Sequence, residues 1–273
     1  MRPTKTSKQH GRCQLTGKLG PYVKAHILPE ALTRPSQTGN PFLQHRPGSR
    51  AIRRWTSWYD NTIVTADGES ILSDLDDRGI RELRRQRLIW SAWGPIQSMA
   101  IPGVSHSIRT IQNVDATTLR LFLLSILWRA AASKLSELAD VKLPHDDLML
   151  IRDMIRSRTI IPLTFHPISL VQLSTLGPRH NRSPFAEPLF RPDITSSDTS
   201  ISNVIRFHFD GLVVYFHTDM QPGYNDLVAG PTFVGGSETI AVVSITFEAS
   251  RQGSELHSAV ADYIYNLNGK RVP

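Results

Sequence analysis

The segment Cys13-Gln14-Leu15-Thr16-Gly17-Lys18-Leu19-Gly20-Pro21-Tyr22-Val23-Lys24-Ala25-His26-Ile27-Leu28-Pro29 sets the reading of this chain. Gly17 and Gly20 punctuate it, and Tyr22, Val23, Ile27 and Leu28 supply short apolar stretches, so it predicts a turn and a β-hairpin. Upstream, residues 1–12 are polar and basic. Downstream, residues 33–49 turn to Pro, Gly, Ser, Gln and Asn and read as a loop running into Arg46, Arg50, Arg53 and Arg54. Trp55, Trp58 and Tyr59 come next, then an expected strand over 61–66 closed by Asp67-Gly68. A helix is expected over 73–86. Asp74, Asp76 and Asp77 stand near its positive end and Arg81, Arg84, Arg85 and Arg87 near its negative end, the order that complements the helix dipole.

The strongest helical pattern covers 115–140. Leu119, Phe122, Leu123, Ile126, Leu127, Ala130 and Ala131 recur at spacings of three and four, which requires one broad buried face, and Asp115 suits the N-cap. A shorter helix is expected over 145–156, with Leu148, Ile151 and Ile155 inward. Strands are expected over 159–165 and 168–173, followed by a long loop over 177–199. Residues 201–208 and 212–217 flank Asp210-Gly211, a type I′ hairpin signal. A loop over 219–238, a strand over 239–248 and an amphipathic helix over 254–267 complete the chain.

The fold class is therefore α+β, in three stretches: a basic module at 1–95, a helical region at 96–158, and an antiparallel sheet with a terminal helix at 159–273. The strand-rich half lacks a regular βαβ rhythm and no glycine-rich phosphate loop occurs, which speaks against nucleotide hydrolysis and dinucleotide chemistry.

The formal charge of +7 is unevenly placed. Residues 1–60 hold eleven Lys or Arg against only Glu30 and Asp60, so the rest of the chain is net acidic by two. A basic segment of this kind attracts a polyanion, DNA or RNA, in a salt-dependent way. Cys13 is the only cysteine, which excludes an internal disulfide and any zinc site needing a second cysteine of this chain. A reducing, cytoplasmic setting fits that usage. No apolar run follows the basic N-terminus, and the longest one, 121–128, is too short to span a bilayer, so no membrane partner is expected.

Cys13 through Pro29 resembles the opening of the HNH/treble-clef endonuclease superfamily, in particular HNH-like bacterial proteins in which a Cys-x-x-Cys knuckle precedes a Ser-His-Ile-Ile-Pro segment. Here the knuckle reads Cys13-Gln14-Leu15-Thr16 and the later segment Ala25-His26-Ile27-Leu28-Pro29. The likeness continues at Asp67-Gly68-Glu69, where relatives carry a second knuckle before a helix, and at Trp90-Ser91-Ala92-Trp93 and Leu127-Trp128-Arg129-Ala130-Ala131. It covers about the first half of the chain. It implies a degenerate, zinc-less treble-clef/ββα module at the N-terminus, with Thr16, Leu72 and Leu75 where thiolates would be expected. It also implies His26 as general base, with Asp74 and Asp76 as the nearby carboxylates for a divalent metal such as magnesium if the chain is active. The family's association with phage defence and mobile elements comes with it.

Each residue has a plainer reading. The His26 imidazole can hold the hairpin against the helix, Asp74 and Asp76 can serve helix electrostatics, and Trp55, Trp58 and Trp93 can be packing residues. His208 and His217, flanking the hairpin turn, can face one another. The cations open to nucleic acid are Lys18, Lys24, Arg46, Arg50, Arg53, Arg54, Arg81, Arg84 and Arg85. Three functions remain open on the sequence: a nucleic-acid- or protein-binding protein that has lost metal-dependent nuclease activity and uses no cofactor, an active endonuclease with a rearranged centre at His26, and a structural protein acting as a homo-oligomer.

Overall fold

The computed structural model describes residues 9–34, 42–45, 52–160, 162–192, 199–219 and 229–268. Strand β1 (His10–Arg12) turns through Gly17 and returns as β2 (Leu19–Pro21), so a hairpin forms with Cys13 in its turn, but earlier in the chain than expected: Tyr22 makes only an isolated bridge and Val23, Ile27 and Leu28 lie outside its strands. The short β3 (Ala25–His26) pairs antiparallel with β6 (Tyr59–Asp60), and a single helical turn, α1 (Glu30–Thr33), follows β3.

Between them lies the hairpin of β4 (Phe42–His45) and β5 (Ile52–Arg54), which pairs outward. Its strand β4 runs parallel to β9 (His180–Arg182), forming a three-stranded sheet in the order β5-β4-β9. The basic N-terminal hairpin is thus fastened to the second half of the chain.

Helix α2 spans Ala66–Arg85, starting seven residues before the expected helix. The expected strand at 61–66 reduces to one bridge, Tyr22 to Thr65. Leu72, Leu75 and Leu83 of α2 are buried, as is most of α3 (Ala116–Ala132). Asp115 caps α3 by accepting a hydrogen bond from the Thr118 N–H at 3.0 Å. The expectation of one buried face on α3 falls short, because nearly every residue from Leu119 to Ala130 is buried, including Arg120 and Arg129. A helix buried all round belongs in the middle of a domain, and α3 contacts both α2 and α4 (His145–Ser157).

The main sheet has six strands in the order β10-β11-β12-β8-β13-β7: β10 (Phe185–Pro192), β11 (Thr199–Phe209), β12 (Leu212–His217), β8 (Ile168–Leu173), β13 (Ile240–Ile245) and β7 (His106–Ile111). All neighbours are antiparallel except β8 and β13, which run parallel, so the sheet is mostly antiparallel, as expected, with one parallel pair. Strand β7 comes from the stretch read as helical, and β9 and β10 from the stretch read as loop. Residues 159–165 form no strand among the described residues.

The Asp210-Gly211 turn has φ of 48° and 79°, the two positive values that a type I′ hairpin needs. Trp90 closes over it: its backbone N–H donates to Asp210 O at 2.8 Å and its indole N–H to Leu173 O at 3.0 Å. Helix α5 (Arg251–Asn268) ends the chain. Residues from all three sequence stretches enter one continuous core. The mixed α+β class is as expected. No described helix is long and apolar enough to cross a membrane.

Candidate functional site

The turn between β1 and β2 brings Cys13 against the N-terminus of α2. Its sulfur accepts a hydrogen bond from the Thr16 N–H at 3.4 Å, and an ideal Cβ on Gly68 would stand 2.6 Å from it. Burial pushes the Cys13 thiol up, but hydrogen bonds from Thr16 and Thr65 outweigh it and leave the thiol below its ordinary range. The groups surrounding this sulfur are therefore Thr16, Thr65 and Gly68. Leu72 and Leu75, expected at ligand positions, sit one and two turns further along α2 in the core, each 1% exposed. One thiol, two hydroxyls and a glycine do not make a zinc site, since tetrahedral zinc requires four thiolate, imidazole or carboxylate donors. Gly68 lacks a side chain where the thiol packs, so the turn and the helix meet directly.

His26 is half-buried on β3, its ring edge-on to Tyr59 with centroids 6.4 Å apart. Burial and then Lys24 lower its basicity, and Glu30 opposes them. It is the His26 carbonyl, rather than the imidazole, that ties β3 to the helices. Arg129 of α3 donates to it at 3.0 Å, and the same guanidinium grips Asp76 of α2 through two bonds of 2.9 and 2.7 Å. Its remaining N–H groups reach Ser125 O at 3.2 Å and Ser125 Oγ at 3.3 Å, so all five donors of Arg129 are used. Glu69, also nearby, is pushed up by burial, with Arg129 opposing.

The three residues expected to be catalytic are thus separated by their bonding. Both oxygens of Asp76 are engaged by Arg129. Asp74 lies toward solvent, where Arg78 and Arg158 bind it. Among the described residues no group of three or more His, Cys, Asp or Glu is placed to hold a metal ion. The magnesium arrangement implied for an active enzyme does not fit these side chains.

The expected cations are dispersed. Lys18 pairs with Asp67 at 2.9 Å, and Lys24 stands 4.4 Å over the Tyr59 ring. Arg53 lies over Tyr263 of α5 at 5.9 Å, and Arg54 is 3.9 Å from Glu137. Arg81 and Arg85 line a separate groove at the end of α2 with Asp74, Glu82 and Asp115, and Arg85 is bound to Glu82 at 2.6 Å. Arg84 is exposed outside that groove. Arg46 and Arg50 lie outside the described residues. Compared with known proteins, the chain matches no family model, no curated protein and no solved structure.

Trp58 and Trp93 are buried, whereas Trp55 is 62% exposed beside the basic strand β5. His208 and His217 do not face one another, because the register pairs them with Val213 and Val204. His217 instead meets Ser169 Oγ at 2.9 Å, and His208 stacks on His180 at 4.8 Å. His180 lies beside Pro178 O at 2.8 Å and Gln252 at 2.6 Å, a link from β9 to α5.

Burial foremost, aided by Arg182 and Arg206, depresses His180 to about 4. An unfolded chain protonates this ring near 6.5, so it takes up the proton before the folded protein does. Stability present above pH 6.5 is expected to fall between pH 6.5 and pH 4, by up to about 3 kcal/mol from this group. Urea melts at pH 7.5, 5.5 and 4.5 check this, with His180→Gln expected to flatten part of the decline. His26 and His166 are lowered too and add in the same direction, so the variant makes the assignment.

Sequence reasoning missed a cleft of about 430 Å³ where β4, β6 and residues 135–137 meet. Gln44, Ser57 and Trp58 line it, each no more than 5% exposed, and Gln44 Oε1, Ser57 Oγ and Trp58 Nε1 find no protein partner. Asp60 closes one side, held by Thr62 Oγ1 at 2.6 Å and Ser133 Oγ at 2.7 Å. No local pattern marks Gln44, because its burial comes from the distant pairing of β4 with β9.

Proposed function

We propose that this chain is an HNH-like protein whose zinc knuckle has become a packed, metal-free joint and which binds nucleic acid without metal-dependent hydrolysis. The observation that carries this reading is the set of groups around the Cys13 sulfur: Thr16 in the turn and Thr65 and Gly68 at the helix start stand where a treble clef would need its other ligands, and they meet the sulfur by hydrogen bonding and packing. The Arg129 bridge, which occupies Asp76 and the His26 carbonyl, supports loss of the nuclease centre. The charge surplus of the first 60 residues and the exposure of Arg53, Arg54 and Trp55 beside the Lys24-Tyr59 pair support the nucleic-acid partner. A role in phage defence follows from the family likeness and belongs to the same proposal.

The expected result is salt-sensitive binding of single-stranded oligonucleotides, read by fluorescence anisotropy from 50 to ~300 mM salt. Each phosphate contact contributes roughly 0.7 to the slope of log affinity against log salt on single strands, so Arg53→Gln with Arg54→Gln should reduce the slope by about 1.4. Binding that ignores salt would favour the structural, oligomeric reading. Plasmid nicking with magnesium, manganese, nickel or zinc that disappears in His26→Ala would establish the endonuclease instead.

A further inference from the structure

We infer that the cleft beside β6 is a pocket for one unpaired nucleobase carrying an exocyclic amino group, because it presents a buried acceptor, a buried donor and a hydroxyl that lack protein partners. Buried polar atoms are nearly always paired, since leaving one unmade costs about 1–3 kcal/mol. Three such atoms, Gln44 Oε1, Ser57 Oγ and Trp58 Nε1, belong to residues that line this one cleft. A nucleobase edge offers a complementary set: an amino group for the Gln44 oxygen and a ring nitrogen or carbonyl for the Trp58 N–H.

The charges choose the end of the nucleotide that enters. The lining carries Arg54 against Asp60 and Glu137, a net negative balance that repels phosphate and favours a donor-rich base. Arg54 already leans toward Glu137 at 3.9 Å, while Arg53 and Lys24 lie outside the cleft with exposed side chains, positions suited to the phosphates on either side. Tyr59, 40% exposed and also lining the cleft, offers an aromatic face at its mouth. The size fits, because pockets for small organic ligands run from about 300 to 1,000 Å³. The same donor-acceptor pair would suit a peptide backbone, but the basic surroundings favour nucleic acid.

This inference rests on the nucleic-acid reading above, and the experiment separates the two. Anisotropy is measured for four strands of equal length and charge: deoxycytidine, deoxyadenosine, thymidine and abasic. The amino-bearing strands should bind about tenfold or more tighter than thymidine, as good base contacts give. In Gln44→Met and Trp58→Phe the preference should collapse toward the affinity of the abasic strand. Gln44→Met removes an unpaired buried polar group at similar size, so thermal melts should show it at least as stable as the parent, whereas Trp58→Phe also leaves space in the core and should melt somewhat lower while staying folded. Equal affinity for all four strands, or a preference untouched by the variants, would overturn the pocket while leaving the electrostatic binding intact.

Free cytidine and a neutral tripeptide, each tested by thermal shift, complete the design. If no strand binds, the proposed function falls, and cytidine stabilisation lost in Trp58→Phe would still establish the pocket. Stabilisation by the tripeptide alone would assign the cleft to a protein segment and overturn the inference. Stabilisation by neither, with no strand preference, would leave only water in the cleft.

Discussion

Thr16→Cys, Thr65→Cys and Gly68→Cys, made together, are expected to turn this chain into a zinc-dependent protein. Cys13 already lies in the turn, with the Thr16 N–H bonded to its sulfur, Thr65 close enough to lower its thiol, and Gly68 against it. Four thiolates at those positions supply a full tetrahedral set, and structural zinc in comparable small sites contributes roughly 10–16 kcal/mol at neutral pH. The metal-free triple variant should be less stable than the parent, because a Cβ at Gly68 would come 2.6 Å from the Cys13 sulfur and the turn must shift. Cobalt titration read by its thiolate charge-transfer bands, with melts in zinc and in chelator, checks both halves. A variant that folds yet takes up no metal would remove the treble-clef interpretation of the module.

Arg129→Met is expected to destabilise the protein by about 3–5 kcal/mol, the usual cost of removing one partner from a buried ion pair. In a domain of this size that is a fall in melting temperature on the order of 10 °C. Arg129 is fully enclosed, so its loss leaves Asp76 and the His26 carbonyl without their donors. Adding Asp76→Leu should recover a large part of the loss, because the buried charge goes with it. Urea unfolding of both single variants and the double variant gives the coupling. Near-additive losses would show that the bridge does not fasten β3 to α2 and α3.

Much of the fold could be read locally. The Asp210-Gly211 hairpin, the Asp115 cap and the helices at α3, α4 and α5 follow from turn chemistry and apolar spacing, which act within a few residues. What failed were segments whose state depends on distant partners. Strands β9 and β10 lie in a Pro-, Ser- and Arg-rich stretch that reads as loop, and their pairing with β4 and β11 makes them strands. Asp67-Gly68 reads as a break, yet α2 runs through it, because Gly68 is where the helix meets Cys13.

The candidate sites divide the same way. His26, Asp76 and the arginines can be named from the sequence, but Arg129, which decides whether Asp76 is free, is remote in the chain from both of its partners. The Gln44, Ser57 and Trp58 cleft is likewise assembled by pairing rather than by spacing.

By itself, the sequence determined the α+β class, the uneven basic charge, the single thiol and the local elements, since composition and short-range stereochemistry are properties of the chain. Only the tertiary structure decided that the Cys13 turn closes on a glycine, that the expected carboxylates are engaged by arginine, and that residues with unpaired polar atoms line one cleft. Those outcomes depend on which distant side chains exclude water together, and no local pattern records that.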